Sequence, residues 1–530
     1  MKTILLLQAI FFYLILNAQN DISDQVSWGE FTKVNKKFRS PEVIGQDGKD
    51  IFMLRFTKRK TFIERYNLNS LRLEKTTLLG LKSPKNKKMS LRSAFMLMDR
   101  PVLIAKYYDK RYKTTHYYAQ IIDVSTLTPS KTVSLDQVFK TYKLNIDIAN
   151  NEELVFSMFL QHTETKRKFK DAPVKPVYTA KLYDDDLSLM EEFEIDIPIP
   201  GFNTLARQIG NNGRVYILGH ELLVTKDQSK LINRKRVVEG DSYVLTIDPG
   251  TGDMEQQKIQ LGNGRKIEMM GFSILDNGNI QIVGLLGKES GGTDGSFSIL
   301  YDNNLNEISQ SEHIFEDEFI TQTWSERAQK KADRKNQRRA LQGKEKDTPE
   351  FYSYYIDHIV QREDGSSLML AEQYYVVVTS HTYTDANGNR TTTYTYHYYY
   401  NDIIAVSFDE NGEYEWKQLI EKRQVSVNDG GYYSSYFIVN SEDKTSIIFN
   451  EFVSNLKEKG SSTRKDRKTV IGLKATLSRE GELTKEKLFE FPEENRLRIV
   501  PKICEDSGDG IIFLYARNKK GHKFGTINLN

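Results

Sequence analysis

The 530-residue sequence has one cysteine, Cys504, so no disulfide can form within the chain and burial has to hold the fold together. After residue 20 no apolar run approaches the roughly 20 residues that a membrane-spanning helix requires. Apolar residues at helical spacing are nearly absent there too, which argues against bundles and alternating β/α folds. No sign of charge dominates: 75 Lys and Arg stand against 72 Asp and Glu, a net charge of +3, and nothing in that average suggests a nucleic-acid partner. The eight histidines form no HExxH pattern, and there is no GxSxG elbow, Walker A loop or dinucleotide fingerprint. No catalytic residue, metal ligand or cofactor is therefore assigned.

Aromatic residues, by contrast, make up 11% of the chain, with 29 Tyr and 27 Phe, and favour strands. Residues 1–18 run from Lys2 through an apolar stretch, Ile4 to Leu16, to Asn17-Ala18, the layout of a signal peptide cleaved after Ala18. No cysteine follows that site, so lipid anchoring there is not expected. From residue 26 onward a unit recurs: a strand, a tight turn, an apolar strand, a variable loop, a third strand ending in an Asp-type turn, and an amphipathic fourth strand. The first turns include Gln46-Asp47-Gly48, Asn211-Asn212-Gly213, Asp276-Asn277-Gly278 and Glu363-Asp364-Gly365, and the third strands end in pairs such as Ile122-Asp123, Ile247-Asp248 and Phe408-Asp409. Both series count eight, and the eighth unit stops at Asn530 without its fourth strand. Residues 26–34 precede the first unit and have no other partner. These counts predict an all-β fold, a single β-propeller over 26–530 with eight blades preferred over seven, its ring closed by the N-terminal strand. The lone Cys504 is expected inside an innermost strand as a buried, inert thiol.

Charge and aromatics depart from this regularity in three places. The loops joining second to third strands sum to +17, whereas five of the segments after the third strands sum to −15. Residues 325–346 are polar, alanine-bearing and basic, and are read as a helical or disordered insertion between blades five and six; with the loop near residue 464 they nominate Arg334, Lys335, Arg338, Arg339, Arg464 and Lys465 for contact with an acidic partner. The sixth unit has an elongated hairpin around Asn387-Gly388. With those two residues as the turn, Thr384 faces Thr391, and Tyr383, Tyr394, Tyr396 and Tyr398 share one face with Tyr375, His381 and Tyr400, a surface suited to a protein partner. Asp385, Asn387 and Asn389 alternate like the start of a calcium loop, yet no bidentate Glu follows, and a hairpin turn accounts for them.

In its unit pattern, above all Asn401-Asp402-Ile403-Ile404-Ala405-Val406-Ser407-Phe408-Asp409-Glu410-Asn411-Gly412 leading into Trp416-Lys417, the chain resembles the exported β-propeller proteins of Gram-negative bacteria. The resemblance covers most of residues 26–530 and implies a fold, with no catalytic residue carried across. Together these readings lead us to expect a periplasmic binding or scaffold propeller, extracellular as second choice, whose basic face docks on an envelope protein complex, such as one of the outer membrane or of secretion, or on an anionic envelope surface. The alternative is a carbohydrate-binding protein or glycosidase with an axial pocket.

Overall fold

The computed structural model describes residues 26–33, 38–39, 41–139, 143–161, 175–226, 235–262, 265–288, 292–344, 346, 348–385, 389–441, 443–457, 469–491, 496–506 and 511–528. The expected signal peptide lies outside them. The described chain is nearly all strand and forms eight sheets, each built on four antiparallel strands. Seven are simple meanders in chain order, from 42–78 through 436–490, and the fold class is the expected one: all-β, eight units of the kind that make up propeller blades. No helix among the described residues is long and apolar enough to cross a membrane.

The expected turns create the meanders. Gly213, Gly278 and Gly365 hold φ of 83°, 85° and 84° at the last turn position, where a side chain would be strained. In Ile51–Leu54 and Ile280–Gly287 every residue is buried, as second strands covered on both faces require. A register shift recurs in the first strand of four meanders, at Val43/Gly45, Leu91/Ser93, Thr204/Ala206 and Ile267/Met269, so the units share a local bulge as well as an order of strands. Asp-type turns end the third strands. Asp123 Oδ1 accepts from the amides of Ser125 and Thr126 at 3.1 and 2.7 Å, and Asp302 and Asp409 repeat the arrangement with Asn304 and Asn411 at 2.8 and 2.9 Å. Hydrogen bonds from the Ser125 and Thr126 side chains and amides hold the Asp123 carboxyl down at about 2. Part of the acidity after the third strands, at Asp302 and Asp409, therefore also serves the turns.

The chain divides into two compact units: one comprises residues up to 78, 373–403 and 420 onward, the other 79–372 and 404–419. In the first, the last meander receives the strand that the sequence leaves spare. Val26–Trp28 pairs antiparallel with 525–527, and Thr32–Lys33 pairs with 521–522. This pairing occupies the edge that the sequence pattern leaves without a fourth strand. Trp28 lies over Gly525, where a Cβ would come within 2.6 Å of the indole, and meets Phe489 and Phe491 at 5.2 and 4.7 Å. The innermost strand of this meander is less regular than expected. Pro501 opens a short 3-10 turn, Pro501–Ile503, between Arg498–Ile499 and Glu505–Asp506, because proline has no amide to give the ladder. Cys504 caps that turn rather than sitting in a strand; its thiol faces Val500 O at 3.5 Å, and burial pushes it up to about 12.

Replacing Trp28 by Ala removes the ring that covers Gly525 and Phe491. Because Trp28 is only partly buried, the expected cost falls toward the lower end of the ~3–5 kcal/mol typical of large aromatics. Denaturant titration of W28A against wild type measures it, and an unchanged midpoint would show that the closing strand contributes nothing.

Candidate functional site

The sixth meander carries the longest strands, Ser367–Thr384 and Arg390–Phe408, and their outer halves form a hairpin belonging to the first compact unit. Asp385 N donates to Asn389 O at 2.9 Å, while Asp385 Oδ1 and Oδ2 accept from Asn389 N and Nδ2 at 2.8 and 3.0 Å. Three residues therefore separate the paired positions, not two. Side-chain contacts follow the same register: Thr382 with Thr392 at 2.9 Å, Tyr375 stacked on Tyr399 at 4.7 Å, and Tyr374 against Tyr400 at 4.6 Å.

A one-residue difference in register changes which side chains share a face. The expected single tyrosine face is thus corrected. Tyr394, Tyr396, Tyr398 and Tyr400 share a face with Tyr374 and Thr382, whereas Tyr375, His381 and Tyr383 lie on the opposite face with His397 and Tyr399. The physical cause is the Asp385 carboxylate, which holds Asn389, rather than residue 390, opposite Asp385.

The root of the hairpin is anchored. A short strand that the sequence pattern did not predict, Gln424–Val427, pairs with 397–400, and Asn428 exchanges two hydrogen bonds with Tyr396, at 3.0 and 2.9 Å. Gln424 is buried, accepting from Ser435 N at 2.8 Å and donating to Asn450 O at 2.7 Å. Lys422, also buried, reaches Tyr400 O at 3.3 Å and Gln424 Oε1 at 3.2 Å. Burial pushes the neighbouring Asp402 and Glu451 carboxyls upward, although Lys422 N and Arg423 N donate to them at 3.0 and 3.3 Å. From this root outward exposure grows: Tyr400 is buried, Tyr398 half-buried, Tyr396 44% and Tyr394 60% exposed. On the opposite face Tyr383 is 48% exposed. The signal that gives the root away in the sequence is the β-rich Gln424-Val425-Ser426-Val427 just ahead of Asn428-Asp429-Gly430-Gly431.

In the second compact unit, the segment between the fifth and sixth meanders contains α1 (Asp317–Thr321) and α2 (Glu326–Leu341). The Ser325 hydroxyl caps α2, accepting from Ala328 N at 3.3 Å. Thr293 and Phe351 exchange two backbone bonds of 2.7 Å at the base of the segment, where Phe315, Phe319, Phe351 and Tyr354 pack edge to face. Lys417 adds an ion pair to Glu316 at 2.6 Å. No residue of α2 is buried; Arg334, Lys335 and Arg338 are exposed, Arg339 is partly covered, and Leu341 is 89% exposed. Arg464 and Lys465 lie outside the described residues.

One cation counted as loop charge, Arg517, is engaged instead, and cations from outside those loops join it. Arg517 sits 6.0 Å from the Tyr432 ring, Arg498 lies over Tyr433 and Phe452 at 6.0 and 5.4 Å, and Lys502 lies over Tyr400 at 5.8 Å. Arg55 donates to Glu64 at 3.1 Å and to Tyr66 at 3.1 Å. This aromatic and cationic cluster, wholly within the first compact unit, is invisible in the sequence because its members come from several meanders. Its histidine, His522, is buried. Burial first, then the Arg55 and Arg517 charges, press its pKa down to about 4. Among the described residues no group of three or more His, Cys, Asp or Glu side chains is placed to hold a metal ion.

No family model matches this sequence, and no curated protein sequence matches it. Solved structures do align with it. They include the polysaccharide lyase Uly1 (10% identity, 96% of this chain and 91% of that one, TM-score 0.34). The β-propeller domain of the Trilobed protease from Pyrococcus furiosus aligns at 8% identity over 88% of this chain and 98% of its own, with a TM-score of 0.31. The Dos1 propeller aligns at 8% over 79% and 90%, with a TM-score of 0.30. At such low similarity none of them bears on function.

A neutral, buried His522 with a lowered pKa makes the unfolded chain bind a proton more readily below its ordinary pKa of about 6.5. Its contribution to stability is present above about pH 6.5 and is lost as pH falls toward 4, by at most ~1.4 kcal/mol per pH unit. Buried carboxyls raised in the same range oppose this, so the measurement is the difference between wild type and His522→Asn in urea titrations from pH 7 to 4. Parallel curves would show that His522 does not titrate as a buried base.

Proposed function

We propose that this chain is a binding scaffold of the bacterial envelope, exported to the periplasm, which holds an acidic protein partner. The sixth-meander hairpin supplies the contact, and the basic helix α2 together with the lysine-rich loops between second and third strands supplies long-range attraction. One observation carries the reading: the hairpin is fixed at its root by Lys422, Gln424 and Asn428, while its tip exposes Tyr394 and Tyr396. A rigid arm bearing exposed tyrosines offers large amphipathic contact area at small entropic cost. Sixteen helical residues of which none is buried, rich in Arg and Lys, suit an anionic surface that approaches before contact is made. Export rests on the Lys2 to Ala18 segment, and a complex at the outer membrane or of secretion is the class of partner that a periplasmic scaffold of this charge would meet.

The test is a double variant, Tyr394→Ser with Tyr396→Ser, in the full mature chain. Exposed substitutions shift stability by only ~0.5 kcal/mol, so its melting temperature should match wild type while capture of the envelope partner is lost. Wild-type capture should weaken with rising salt. Tyr400→Ser, at the buried root, should instead cost ~3–5 kcal/mol. Capture of the same partner by the double variant at wild-type level would remove the hairpin from the binding site.

A further inference from the structure

Among the described residues, the outer half of Ser367–Thr384 has one edge with no strand paired to it. Its neighbour on that side, Tyr354–Gln361, has 8 residues against 18, and no described strand pairs with residues 376–384 on their second edge. Because Asp385 N bonds to Asn389 O, the odd-numbered residues of this arm direct their backbone groups to the hairpin partner, and Val376, Val378, Ser380, Thr382 and Thr384 direct theirs outward. Asn428 bonding to the even-numbered Tyr396 on the opposite edge follows the same alternation.

Natural proteins guard such edges with lysine, proline, bulges or brevity. Here none of these is present: Tyr374 to Thr384 contains no Lys, Arg, Asp, Glu, Pro or Gly. Val376, Val377 and Val378 are exposed, as is Tyr383. We propose that this edge pairs with the same edge of a second copy of the chain, antiparallel about a two-fold axis at Ser380, joining the two sixth sheets into one.

The register follows from the alternation. Ser380 meets Ser380, Val378 meets Thr382 and Val376 meets Thr384 as hydrogen-bonded pairs, which uses every outward group. Val377 meets Tyr383, and Thr379 meets His381, at the closer non-hydrogen-bonded positions, where a β-branched residue against an aromatic one is a favourable cross-strand pair. Self-pairing often fails because each charge meets its like; with no charged residue in the segment, that penalty is absent. Identity of the occupant follows from this self-complementarity, and the inference does not depend on the tyrosine face proposed for partner binding.

Sedimentation of the full mature chain should give a dimer. Ser380→Pro removes an outward amide and leaves the ladder within the hairpin intact, and Val377→Lys places a charge on the edge, on the face away from Tyr394 and Tyr396; each should yield a monomer with an unchanged melting temperature. Should the proline variant unfold, the lysine variant decides. Ser380→Cys should cross-link to itself under mild oxidation, since paired positions lie ~5.5 Å apart between Cα atoms, within disulfide reach. Val378→Cys, whose partner is Thr382, should not. A monomeric wild type, a dimer that survives both edge substitutions, or equal cross-linking at 378 and 380 overturns the proposal. Loss of the dimer with partner capture intact, or the reverse, separates this surface from the tyrosine face.

Discussion

Every strand of this chain carries two rows of backbone donors and acceptors, and the architecture follows from where those rows find partners. Within a meander the inner strands satisfy each other. The outer strands depend on what lies next in sequence or on what arrives from elsewhere. The last meander ends at Gly521–Asn528 with one row open, and Val26–Trp28 with Thr32–Lys33 fills it from far away in sequence. Trp28 and Phe31 then cover Gly525 and Gly521, glycines that leave room for the rings. With no disulfide available, this clasp between distant segments is wholly noncovalent.

The sixth meander meets the same constraint in the opposite way. Its middle strands run well past their neighbours, and the molecule reinforces only the base, through Gln424–Val427 and the buried side chains of Lys422 and Gln424. Ordering those polar groups in the interior is worthwhile only if each is bonded, and the bonds to Tyr400 O, Ser435 N and Asn450 O meet that condition. A firm base under an exposed tip is the mechanical requirement for an arm that must present side chains in a fixed direction. The surface that results carries two different chemistries, tyrosines on the faces and bare backbone on one edge.

Several charged side chains also have a structural role. The carboxylates of Asp123, Asp302 and Asp409 are turn formers whose oxygens are committed to backbone amides. On the other side Arg55, Arg498, Lys502 and Arg517 lie against tyrosines and Glu64. On α2, by contrast, no residue is buried.

The number of meanders, the turns within them and the spare strand at residues 26–34 are all legible in the order of residues, because each is written locally, in pairs such as Asn277-Gly278 or Phe408-Asp409 whose backbone preferences need no distant partner. The places where the rhythm breaks are legible for the same reason. Which face each tyrosine of the hairpin occupies is settled by folding instead, since the Asp385 carboxylate binding Asn389 shifts the pairing by one residue, and a period of two turns that shift into a change of face. The pairing of Gln424–Val427 with 397–400 and the gathering of Arg55, Tyr432, Arg498 and Arg517 were likewise beyond local reading. Each depends on residues far apart in the chain, and only packing brings such residues together.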